Sequence, residues 1–234
     1  MRQISKRAFS FLGICFLIGN LAVAQRTLPA GIWQRDVGLL GYVQVRDELK
    51  LTADQMENIN ALGDELIKEG PAPQRQAGIT KEERQKKIAA FQSRREEMIQ
   101  KAKALLTADQ ANRMRQIELW CKGPTAFVEA DVARELDLTG EQKGALKTFA
   151  DEYSNKVTES RQSFVQLLQK LPTKAELDQY YSDEEVAQRK AQYNALRETN
   201  ETKCLTVLTD EQKARFVKMR GPRFELDEVV PSRN

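Results

Sequence analysis

The chain of 234 residues contains no histidine, so it lacks the side chain that most often serves as a general base near neutral pH and as a zinc ligand. Any chemistry must rest on thiols, carboxylates and hydroxyls. Two cysteines lie in the body of the chain, Cys121 and Cys204, and neither belongs to a C-x-x-C pair. The adjacent acids Glu82-Glu83, Glu96-Glu97 and Glu184-Glu185 stand in charged helical runs, where such pairs form a solvated face. No serine sits in a G-x-S-x-G setting and there is no glycine-rich phosphate loop, so neither an activated nucleophile nor a nucleotide cradle is in sight. The expectation is a protein that is not an enzyme and takes no cofactor or metal.

The residues that do recur form L-T-x-x-Q, which appears four times: Leu51, Thr52 and Gln55; Leu106, Thr107 and Gln110; Leu138, Thr139 and Gln142; Leu208, Thr209 and Gln212. This is the pattern of a helix start. The threonine hydroxyl accepts from the backbone N–H three residues on, the glutamine side chain reaches back to the threonine N–H, and the preceding leucine fixes the direction in which the chain arrives.

The elements around the motifs repeat as well. Val45-x-x-Glu48-Leu49 precedes the first motif as Val132-x-x-Glu135-Leu136 precedes the third. Gln110-x-x-Arg113 matches Gln212-x-x-Arg215, and the helices they begin stop at Gly123-Pro124 and Gly221-Pro222, as a glycine and proline dictate. The chain reads as a tandem duplication, one unit over residues 40–127 and the other over 128–224. Further capping boxes stand at Thr80-x-x-Glu83, Thr173-x-x-Glu176 and Ser182-x-x-Glu185. Ile88, Phe91, Met98, Ala102 and Leu105 keep a heptad-like spacing, with Arg95 interrupting, and Leu146, Phe149, Tyr153, Phe164, Leu167 and Leu171 trace one face of a second long helix. Only Glu69 to Gly78 looks like a loop, and no alternating β-branched run occurs. The predicted class is all-α: two tandem copies of a long, thin helical hairpin, packed as a pseudo-dimer.

Residues 1–24 read as a signal peptide, with Arg2, Lys6 and Arg7 before an apolar stretch and Ala22-Val23-Ala24 as the cleavage site. Residues 25–39 form an N-terminal extension and 225–234 a tail. Export to a periplasm is the expected location, with a membrane contact only through the signal segment if it stays uncleaved. Cleavage removes three of the 37 basic residues and leaves 34 against 34 acidic ones, a balance that gives no support to a nucleic-acid partner. The mature half up to residue 128 has 17 basic and 14 acidic residues and the rest 17 and 20, opposite signs that fit packing of one half on the other and equally fit random drift on solvated helix faces. An oxidising compartment allows Cys121 and Cys204 to pair, while the place of Cys204 on an apolar stripe with Leu196 and Val207 equally suits a buried free thiol.

Paired L-T-x-x-Q motifs on an exported, charged, helical chain resemble the Spy/CpxP family of periplasmic proteins. The resemblance implies a thin, curved helical hairpin whose members dimerise into a cradle, some acting as ATP-independent chaperones, some restraining a sensor kinase and some binding zinc. It also implies that the twelve motif residues are structural and close the hairpin ends. Two units in one chain would form internally what other members form by dimerising, as a monomer or a homodimer, and the missing histidine disfavours zinc. The expected function is chaperone-like binding of unfolded or partly folded envelope proteins. The alternative is regulatory or structural binding of one folded partner such as a sensor. The helix from Lys81 to Leu105, with Arg84, Lys87, Arg94, Arg95 and Lys101, is the candidate surface for client contact, because charge gathers chains from a distance.

Overall fold

The computed structural model describes residues 37–68, 80–170 and 183–226. Among them the fold is all-α, with eight α-helices and no strand. In chain order these are α1 (Val43–Glu48), α2 (Ala53–Lys68), α3 (Lys81–Ala104), α4 (Ala108–Lys122), α5 (Ala130–Glu135), α6 (Gly140–Lys170), α7 (Asp183–Val207) and α8 (Asp210–Arg220). Short 3-10 turns, Gly38–Gly41 and Gly123–Val128, precede α1 and α5. The signal segment, the loop containing Gly70-Pro71, the box at Thr173 and Ser182 lie outside the described residues.

Two compact units divide between Met114 and Arg115, inside α4, whereas the motif repeat places its joint at 127/128. The difference has a packing reason. Leu119, Ala126 and Phe127 belong to the same buried cluster as Val132, Leu136, Leu138, Leu146, Cys204, Leu208 and Phe216, so the end of α4 and the turn after it pack with α5 to α8.

In the first unit α2 and α3 run antiparallel. Gln55, near the start of α2, bonds the carbonyl of Leu105 just past the end of α3, and further along Glu65 faces Arg94 at 3.7 Å. Val45, Ile59, Leu66, Met98 and Ala102 fill the interior. Met98 and Ala102 are thus buried as the heptad pattern predicts, and Phe91 is half-buried.

The second unit repeats this pairing with α6 and α7, joined by Tyr153 Oη donating to Tyr193 Oη at 2.8 Å and by Lys203 and Glu152 at 3.1 Å. The buried cluster around Phe127 and Phe216 is its centre, the two rings 4.2 Å apart. Arg115 clasps Glu129 and Asp131 at the start of α5.

The two short helices end in the same way. Leu51 N–H donates to Arg46 O at 3.1 Å and Lys50 N–H to Asp47 O at 3.0 Å; Leu138 N–H donates to Ala133 O and Asp137 N–H to Arg134 O at 3.0 and 3.1 Å. Each is a Schellman closure, with Lys50 at φ 50° and Asp137 at φ 52° in the left-handed position that glycine prefers. Lys50→Gly is therefore expected to stabilise the first unit by about 0.5–1 kcal/mol, read as a higher urea midpoint. An unchanged or lower midpoint would contradict the closure.

Candidate functional site

The four motifs meet in two pairs. In each, the capping box forms as the sequence predicts: Thr52 N–H donates to Gln55 Oε1 at 3.0 Å and Gln55 N–H to Thr52 Oγ1 at 3.2 Å. Thr107 with Gln110, Thr139 with Gln142 and Thr209 with Gln212 make the same two bonds. Leu51, Leu138 and Leu208 are buried beside them and Leu106 half-buried.

Spacing alone does not reveal what the glutamine amides do next. Gln55 Nε2 donates to Gln110 Oε1 at 2.7 Å and Gln110 Nε2 returns a bond to Gln55 Oε1 at 3.1 Å. Gln142 and Gln212 close the same ring at 2.8 and 3.0 Å. Each amide also donates to a carbonyl at the end of another helix. Gln55 reaches Leu105 O, Gln110 Leu49 O, Gln142 Val207 O and Gln212 Leu136 O, at 2.8, 3.1, 3.0 and 3.2 Å. One pair of side chains thus caps two helix starts and two helix ends.

This explains the residue type. A carboxylate can accept but not donate, and Thr80-x-x-Glu83 shows the difference: Glu83 completes its box with Thr80 alone, its carboxyl held below the ordinary value by the Thr80 backbone and hydroxyl bonds. The sequence carried a signal for this pairing, since all four motifs use Gln where the other boxes use Glu.

The candidate client-contact residues spread along α3. Arg84, Lys87 and Lys101 are exposed and Arg94 and Arg95 half-buried. Lys101 pairs with Glu97 at 2.8 Å and Arg94 faces Glu65.

In the structure Cys121 is a half-buried and Cys204 a fully buried free thiol. Burial pushes the Cys121 thiol up from 9.0 to about 11, partly offset by the Arg197 charge, and Cys204 up to about 12. Folding thus holds both protonated, so their contribution to stability is complete below pH 9 and lost as pH rises through 11 and 12. Neither Cys121 nor Cys204 is expected to react with a disulfide reagent at neutral pH, and both are expected to react in denaturant. Rapid labelling of the native protein would contradict the burial of Cys204 and the raised Cys121 thiol.

Sequence reasoning also missed a polar cluster in the second unit made by Arg197, Asn200, Glu201 and Arg220, each buried. The i, i+3, i+4 spacing of the first three was visible but is common in any charged helix. Among the described residues no group of three Cys, Asp or Glu is placed to hold a metal, and no helix is long and apolar enough to cross a membrane.

Fold and site define an all-helical protein whose helix ends are closed by reciprocal Thr-Gln caps. Residues 125–220 match the model of the LTXXQ motif family, and this bears out the resemblance over the stretch that holds the third and fourth motifs. No curated protein and no solved structure matches the chain.

Proposed function

We propose that the mature chain is an exported, ATP-independent chaperone-like protein that binds unfolded or partly folded envelope proteins on a scaffold of two tandem units. The family match over residues 125–220 carries this reading. The tandem form is supported by the first half, where a 3-10 turn, a short helix with a left-handed closing residue, two long helices and a paired Gln cap recur in the same order. The basic face of α3 is the contact surface for clients. Its Lys101–Glu97 pair is solvent-exposed and its Arg94–Glu65 pair is half-buried and long; such pairs are weak and screened, so a client carboxylate can replace Glu97 or Glu65 at little cost.

The test is light scattering from several denatured proteins diluted with and without the mature chain. Suppression of all of them is expected, weakened at high salt and by joint substitution of Arg84, Lys87 and Lys101 with glutamine. No suppression of any client would overturn the reading and leave a single folded partner as the alternative.

A further inference from the structure

The buried polar cluster of the second unit has more donors than acceptors. Arg197, Asn200 and Glu201 share one face of α7, Arg220 ends α8, and all four are more than nine-tenths buried. Arg220 Nη1 donates to Glu201 Oε1, and the guanidinium lies over Trp120 with its central carbon 3.5 Å from the ring centroid. Arg197 Nη1 donates to the Trp120 carbonyl at 3.4 Å, the Arg220 carbonyl accepts the Trp120 indole N–H at 3.0 Å, and Asn200 Nδ2 donates to Leu196 O at 2.7 Å.

Those contacts leave several of the cluster's donors over. Arg197 Nε, Arg220 Nε and Arg220 Nη2 are buried without a hydrogen-bond partner, and Asn200 Oδ1 is a buried acceptor without one. The charges are unequal too, with two guanidiniums against one carboxylate. The carboxyl ends of α4 and α8 each bring roughly half a negative charge, which reduces the excess but puts no lone pair at the three nitrogens. Buried donors require an acceptor, and donors borne by cations favour an anionic one. Asn200 Oδ1 adds a selection: it needs a donor, so the best ligand is an anion that keeps a proton.

We propose that Arg197, Arg220 and Asn200 form a binding site for one small protonated oxyanion of the hydrogen phosphate class, its oxygens taking the guanidinium N–H groups and its O–H donating to Asn200. Trp120 is then a built-in reporter. Trp33 is the other of the chain's two tryptophans, so Trp33→Phe isolates the signal. Inorganic phosphate titrated into the mature protein at neutral pH and constant ionic strength is expected to give a saturable change in Trp120 fluorescence and a rise in Tm. Acetate and chloride should bind at least several-fold more weakly. Arg197→Met should weaken phosphate binding by roughly tenfold or more, the effect of losing one charge-assisted hydrogen bond. Asn200→Ala should erase the preference for phosphate over chloride. Absence of saturation, equal binding of the three anions, or an unchanged response in Arg197→Met would each overturn the proposal. Should Arg197→Met fail to fold, the comparison of anions on the parent protein and on Asn200→Ala decides it alone.

Discussion

Gln212→Glu is expected to destabilise the second unit by about 3–5 kcal/mol, the range for a buried charge left without a partner. Gln212 is 6% exposed. Its Oε1 receives Thr209 N–H and Gln142 Nε2, and a carboxylate would keep both bonds. Its Nε2 donates to Leu136 O, Asp137 O and Gln142 Oε1, and there the substitution sets an anion against three oxygens. Burial and those oxygens raise the new carboxyl above its ordinary value of about 4.3. A group raised on folding is stabilising below its unfolded value and loses that contribution as pH rises through the folded one. The deficit relative to the parent should therefore be small near pH 4 and full at pH 7, in urea titrations monitored by far-ultraviolet circular dichroism. A deficit independent of pH would contradict the geometry. The Thr80 box offers a control, since Glu83→Gln leaves both capping bonds possible on an exposed helix start and should move the urea midpoint far less than Gln212→Glu does.

Arg220→Met carries the second large effect, again about 3–5 kcal/mol of lost stability, because it strands Glu201 in a buried place. Side-chain exposures of 10% and 11% for the pair leave little solvent to take over. The stacking on Trp120 is lost with it, a further contribution of roughly 0.5–2 kcal/mol. Adding Glu201→Leu removes the stranded charge and should recover most of the loss, since apolar replacement of a whole buried pair is often neutral. If the double substitution is as unstable as the single one, the ion pair is not what holds α8 against α7. Urea midpoints read by Trp120 fluorescence separate the two cases.

How far the sequence could be read differs from element to element. Helix starts were legible because a cap is local chemistry: Thr and Gln three residues apart satisfy one another wherever they fall, and Thr209 with Gln212 forms the box as written. The stops at Gly123 and Gly221 were legible for the same reason, both having positive φ. At Gly221 an added Cβ would also lie 2.3 Å from Gln116 Oε1, a tertiary contact that no local pattern encodes. The reciprocal Gln rings join residues 55 and 70 positions apart, so only the choice of Gln over Glu hinted at them. The division inside α4 was hidden because Leu119 and Phe127 look like any apolar helix residues until their neighbours in the fold are known. The buried arginines were hidden among 37 basic residues.

L-T-x-x-Q joins helix ends in pairs and is more than a set of independent caps. A double-mutant cycle on Gln142→Ala and Gln212→Ala tests it directly. The two hydrogen bonds of the ring predict a coupling energy of at least about 1 kcal/mol, the second substitution costing much less once the first is made. Strict additivity of the two losses would contradict the claim and reduce the motif to four separate helix starts.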